Sequence, residues 1–102
     1  MQPVLILGGY GNFGKRIATA LTLDGIPVII AGRTTEKAKR LVQELPENLA
    51  TAAIFDVFSG LEQELERLKP VVVINTCGPF QSSDYSVAEI CIRRGVHYVD
   101  LA

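Results

Sequence analysis

Val4-Leu5-Ile6-Leu7-Gly8-Gly9-Tyr10-Gly11-Asn12-Phe13-Gly14 is the stretch that decides how the chain folds. Its first four residues are apolar without alternation, which predicts a strand covered on both faces. Gly9, Gly11 and Gly14 follow at G-x-G-x-x-G spacing, and Lys15 to Leu23 continues as an amphipathic segment. Between a buried strand and a helix, each glycine has a mechanical task. The first makes the tight turn, and the second lets backbone approach a pyrophosphate with no Cβ in the way. The third lets the helix sit close on the sheet. The helix then offers unpaired N–H groups and the positive end of its dipole to the phosphates. Glycine turns are common in α/β proteins, so the weight of this one depends on the rest of the chain.

Outward from the turn, short apolar runs alternate with helical patterns. Asn12 to Leu23 carries Phe13, Ile17, Ala20 and Leu21 at helical spacing, and Asp24-Gly25 stops it. Val28-Ile29-Ile30-Ala31 is a second strand, ended by Gly32-Arg33. A second helix spans about Thr35 to Leu45, with Ala38, Leu41, Val42 and Leu45 on one face and Pro46 after it. A third strand is expected over roughly Thr51 to Val57. Ser59-Gly60-Leu61-Glu62 reads as a capping box that opens a third helix. Val71-Val72-Val73-Ile74 is a fourth strand, β-branched throughout. A last helix, about Asp84 to Arg94, turns Ala88, Cys91 and Ile92 inward, and His97 to Leu101 starts a fifth strand. This alternation predicts an α/β doubly wound parallel sheet of five strands, order 3-2-1-4-5, with right-handed crossovers and helices on both faces.

The totals exclude several classes. The chain has 102 residues, the size of one domain, and a net charge of −1 from ten basic and eleven acidic residues. No broad basic face suggests nucleic acid. Two cysteines without a CxxC and a single histidine make neither a disulfide framework nor a zinc site. No signal peptide and no apolar stretch of membrane-spanning length is present, so a cytoplasmic protein is expected.

In a sheet of this kind ligands sit beyond the carboxyl ends of the strands, at the point where the strand order reverses. The end of the second strand is the informative position. An NAD-binding domain usually carries Asp or Glu there; this chain reads Gly32-Arg33-Thr34. No carboxylate stands there to repel a 2′-phosphate, and Arg33 can pair with one bidentately, with Lys37 adding charge. A solvated arginine after a glycine turn is the plainer alternative. Together with the glycine turn, this residue favours NADP over NAD as cofactor. Asp56 can accept a hydrogen bond from the adenine amino group or cap the following turn. Asn75, Cys77, Gly78 and Pro79 stand beside the expected pyrophosphate and nicotinamide ribose. Cys77 has no base nearby in sequence and is not read as a nucleophile. His97 falls at the far end of the fifth strand and is read as structural, as is Cys91 as core. Tyr10 and Phe13 can shield the phosphates, although Phe13 serves equally as a helix-core residue.

The segments G-G-Y-G-N-F-G-K-R-I-A, I-A-G-R, V-I-N-T-C-G-P-F-Q and G-V-H-Y-V-D-L-A resemble the N-terminal domain of saccharopine dehydrogenase-like oxidoreductases, over essentially the whole chain. The resemblance implies a Rossmann domain of a nicotinamide-dependent reductase or dehydrogenase, often acting on amino-acid-derived imines and secondary amines. It implies that Gly9, Tyr10, Gly11, Asn12 and Phe13 form the dinucleotide loop. Arg33 and Thr34 would form the adenosine-phosphate pocket, with Asn75, Gly78 and Pro79 on the nicotinamide side. Family members are several times longer, with a substrate domain after this one. The expectation is therefore an excised N-terminal domain that positions the cofactor for a small-molecule substrate held by a missing domain. Catalysis by this stretch alone is not expected, and no catalytic residue or metal ligand is named in it. A non-catalytic NADP sensor is the rival reading. An uncovered edge beside the fifth strand would offer a seam for a homodimer.

Overall fold

In a computed structural model of the chain, which describes residues 2–8, 11–46, 48–76 and 84–100, strand and helix alternate as the apolar runs predict. The elements are β1 (Val4–Leu7), α1 (Asn12–Leu23), β2 (Val28–Gly32), α2 (Thr35–Glu44), β3 (Ala50–Ile54), α3 (Val57–Leu68), β4 (Val72–Asn75), α4 (Asp84–Arg93) and β5 (His97–Asp100). The strands form one sheet in the order β3-β2-β1-β4-β5, parallel at every pairing. The chain winds outward from β1 to β3. It then returns through α3 to the other side of β1 and winds outward again to β5.

The continuous apolar strands are explained by burial on both faces. Val4, Ile6, Val28, Ile30 and Ala50 face α1 and α2, where they meet Ala18, Ala38, Leu41 and Leu45. Leu5, Leu7, Ile29, Ala31, Ala53 and Val73 face the opposite way, onto Val57, Leu61 and Leu65 of α3 and Val87 and Cys91 of α4. Alternate residues of one strand therefore serve two cores. At the amino ends, Val4 N–H donates to the Pro27 carbonyl and Val71 N–H to that of Pro3, at 3.0 and 2.9 Å.

Several expectations need correction. The buried stripe of α1 is Gly14, Ala18 and Thr22, with Ile17 and Leu21 beside it, while Phe13 is 65% exposed. Small residues face the sheet because the helix lies close to it, and the buried Thr22 hydroxyl donates to the Ala18 carbonyl at 2.8 Å. β3 is shorter than predicted and α3 starts at Val57, so Ser59 lies inside the first turn instead of capping it. The Asp56 carbonyl accepts the Ser59 and Gly60 N–H groups, which starts the helix three residues earlier than a Ser59 cap would. β4 is shifted one residue on from Val71–Ile74, which brings Asn75 into the sheet. Among the described side chains of α4, Val87 and Cys91 are buried and Ile92 is 73% exposed.

Candidate functional site

The strand register fixes which residues can meet. Leu7 is level with Ala31 of β2 and Asn75 of β4, and Asn75 is level with Asp100 of β5. One step further on stand Gly8 and Thr76, just past the ends of β1 and β4, and Gly32, the last residue of β2, all at the carboxyl edge of the sheet. β1 is the strand where the winding direction reverses, so Gly8 sits at the switch point with β2 on one side and β4 on the other. The sheet thus gathers Gly8, Gly11, Arg33, Thr34, Asp56, Asn75 and Thr76 at one edge. Gly9, Tyr10, Gly78 and Pro79 lie outside the described residues, as does Cys77.

Gly8 has a φ of +72°, a conformation that favours glycine. Its N–H donates to the Ala31 carbonyl and its carbonyl accepts the Gly11 N–H, both at 3.0 Å. Gly11 then precedes α1, with its carbonyl accepting the Lys15 N–H at 2.8 Å. No side chain caps this helix, and no acidic residue lies in its first turn. The first N–H groups of the helix therefore have no intrahelical partner and face the turn.

Among the described residues, nothing in the fold demands a glycine at position 11. Its φ is −79°, open to any residue. A Cβ built on it would come no nearer than 3.5 Å to the Gly8 carbonyl, an ordinary contact. Its Cβ position stands beside the Gly8 carbonyl, at the helix N-terminus. Gly14, by contrast, is buried in the stripe that faces the sheet.

Arg33 and Thr34 are exposed at the end of β2, directly before α2. The first turn of α2 carries Glu36, and Lys37 follows it, so charges of both signs stand there. The Phe55 N–H donates to the Gly32 carbonyl at 3.0 Å, which holds the end of β3, and Asp56 after it, against the end of β2. Asn75 is only 1% exposed, and its Nδ2 donates to the Tyr98 hydroxyl at 3.0 Å. Sequence reasoning missed two contributors here, Tyr98 and Thr76. A polar β-branched residue directly after a buried strand was the available signal for Thr76.

Other groups stand apart. Cys91 is buried beneath α4, and burial pushes its thiol up to about 11, so it is no nucleophile at neutral pH. His97 lies at the amino end of β5, where it lines a cavity of about 420 Å³ with Lys69 and Arg94, at the opposite end of the sheet. Among the described residues, no cluster of His, Cys, Asp and Glu could hold a metal, and no helix is long and apolar enough to cross a membrane.

Comparison with known proteins agrees with this fold. The family model described as the saccharopine dehydrogenase NADP binding domain matches residues 4–102. An uncharacterized oxidoreductase of Bacillus subtilis, YvaG, is 36% identical over 93 residues, covering 82% of this chain and 34% of its own. A Mycobacterium tuberculosis protein provisionally named a trans-acting enoyl reductase is 26% identical over 102 residues, covering 96% of this chain and 24% of its own. The chain therefore spans about a quarter to a third of these relatives. Among solved structures, the Bordetella bronchiseptica enzyme WbmG in complex with NAD superposes with a TM-score of 0.76 at 16% identity. That match covers 96% of this chain and 36% of the enzyme, and it bears on the fold alone.

Proposed function

Because the chain belongs to the saccharopine dehydrogenase NADP-binding-domain family, we propose that it grips NADP(H) at the carboxyl edge of its sheet and presents the nicotinamide to a substrate held elsewhere. Binding of a nicotinamide dinucleotide by an oxidoreductase domain follows from the family itself. The preference for the 2′-phosphate, the substrate and the residue roles are the proposal.

Gly11 is the observation that carries it. Neither its backbone conformation nor the described residues around it require a glycine, and its Cβ-free surface stands at an uncapped helix N-terminus. That surface fits a pyrophosphate approaching the backbone. In this reading Gly9, Tyr10, Gly11, Asn12 and Phe13 form the phosphate cradle, and Gly14 lets α1 lie close enough to the sheet to serve it. Arg33 pairs with the 2′-phosphate, with Thr34 beside it, and Asp56 accepts from the adenine amino group. Asn75, Gly78 and Pro79 border the nicotinamide ribose. When bound, the nicotinamide supplies a hydride donor or acceptor. This chain's residues bind and orient it, and substrate contacts come from a further domain.

The substrate in this reading carries a polarised double bond or its reduced form. An amino-acid-derived imine or amine follows from the family resemblance, while the name of the mycobacterial relative points to an enoyl C=C. Titration calorimetry with NADPH and NADH on the wild type and on Arg33→Ala tests the cofactor assignment. The expected result is tighter NADPH binding in the wild type, with most of the preference lost in Arg33→Ala. Tighter binding of NADH by the wild type would refute the 2′-phosphate assignment.

A further inference from the structure

Thr76 follows the last residue of β4, and its backbone N–H completes the ladder to β1 by donating to the Leu7 carbonyl at 3.0 Å. Its side chain goes further. Oγ1 lies 2.7 Å from the Leu7 carbonyl oxygen and 3.0 Å from that of Gly8. A hydroxyl has one proton and both partners are acceptors, so this is a three-centre hydrogen bond across the first peptide of the glycine turn. The Gly8 carbonyl therefore accepts two hydrogen bonds, from the Gly11 N–H and from Thr76. With the Gly8 N–H held by Ala31, the residue is fastened from β2, from β4 and from the start of α1.

We propose that Thr76 is a positioning residue for the dinucleotide: its hydroxyl holds Gly8 at φ +72°, and Gly8 in turn sets Gly11 and the first N–H groups of α1 beneath the pyrophosphate. The inference rests on the dinucleotide reading above. It concerns a residue that need not touch the ligand, and it assigns the β4 end a part in shaping the β1 turn. Losing the hydroxyl leaves no carbonyl unpaired, because Leu7 keeps the Thr76 N–H and Gly8 keeps the Gly11 N–H. The fold therefore survives the change while the turn is held less firmly.

The test is titration calorimetry of the wild type, Thr76→Val and Thr76→Ser with three probes: NADPH, NADH and 2′-AMP. The last carries adenosine and the 2′-phosphate without a pyrophosphate. Thr76→Val is nearly isosteric and is expected to weaken NADPH and NADH by a common factor of about five, leaving their ratio unchanged. Its affinity for 2′-AMP is expected to match the wild type, and Thr76→Ser is expected to restore dinucleotide binding. Wild-type affinity for NADPH in Thr76→Val would overturn the proposal. So would an equal loss of 2′-AMP binding, which is the mark of general destabilisation. If Thr76→Val does not fold, Thr76→Ala is scored by the same criteria. A wild type that binds neither dinucleotide nor 2′-AMP would instead sink the dinucleotide reading, and this inference with it.

Discussion

Among the described residues, a Cβ added to Gly11 would meet the Gly8 carbonyl alone, at 3.5 Å, and the φ of −79° is available to alanine. Alanine at this position narrows the unfolded ensemble, which stabilises by about 0.4–1 kcal/mol. It is also a poorer N-cap than glycine, and the two effects nearly offset. Gly11→Ala is therefore expected to melt within a few degrees of the wild type while losing at least about tenfold in dinucleotide affinity. Melting and calorimetry on one preparation check both. A large loss of stability would return Gly11 to the fold and remove the observation that carries the proposed function. Cys91 gives a pH prediction. Burial raises its thiol in the folded state to about 11, above its ordinary value of 9.0. The unfolded thiol ionises first, so this contribution is fully present below pH ~9 and is lost as pH rises towards 11. In urea unfolding, the stability advantage of the wild type over Cys91→Ala is expected to shrink between those limits. An advantage independent of pH would refute the assignment. Among residues, the close packing of Gly14 against the sheet was legible because its meaning is local to one turn. Thr76 and Tyr98 were not. Thr76 reaches partners 68 and 69 residues away and Tyr98 one 23 residues away, and only the strand register brings them together.

Helix ends carry the readable signals at the scale of elements, and also the misleading ones. Lys69 follows the last residue of α3 with a φ of +49°, and its N–H donates to the Leu65 carbonyl at 2.9 Å. This is the left-handed helix stop that glycine usually fills, and Pro70 after it disfavours helical backbone further. Lys69→Gly is expected to raise stability by about 1 kcal/mol, a shift of several degrees in Tm for a domain of this size. Lys69→Ala, which removes the charge but not the strain, is expected to gain nothing. Equal melting of the two variants would place any gain in the charge. The same helix shows why boundaries are harder to read than existence. S-x-x-E at Ser59 is a sound N-terminal signal, but the Asp56 carbonyl captured the Ser59 and Gly60 N–H groups first. In α1, choosing the large apolar residues as the buried face put Phe13 inside. The close approach of the helix selects Gly14, Ala18 and Thr22 instead.

The strand order of the whole molecule was legible because right-handed crossovers and a glycine turn after β1 leave few alternatives. That order makes β1 a seam. β3 and β2 lie to one side of it and β4 and β5 to the other, joined by the β1–β4 register from Val4–Val72 to Leu7–Asn75, while α1 and α2 cover one face of the sheet and α3 and α4 the other. The proposed dinucleotide site lies across the seam, with Arg33 on the β2 side and Asn75 and Thr76 on the β4 side. Both cores also cross the seam, since one joins Ile29, Ala31 and Ala53 to Leu5, Leu7 and Val73, and the other joins Val28, Ile30 and Ala50 to Val4, Ile6, Val72 and Ile74. The two halves are therefore expected to unfold as one unit. A ligand that binds only the folded unit slows every amide that exchanges through global unfolding by the same factor. That factor is about 100 at a ligand concentration ~100 times Kd. Hydrogen exchange with NADPH is thus expected to protect Ile30 in β2 and Val73 in β4 equally, although they lie on opposite sides of the seam. Protection confined to β2 would mean that the β4–β5 half opens independently of the ligand. In that case the cofactor would be gripped by the glycine turn and the end of β2 alone, and the β4 edge would contribute to the site only when a further domain covers it.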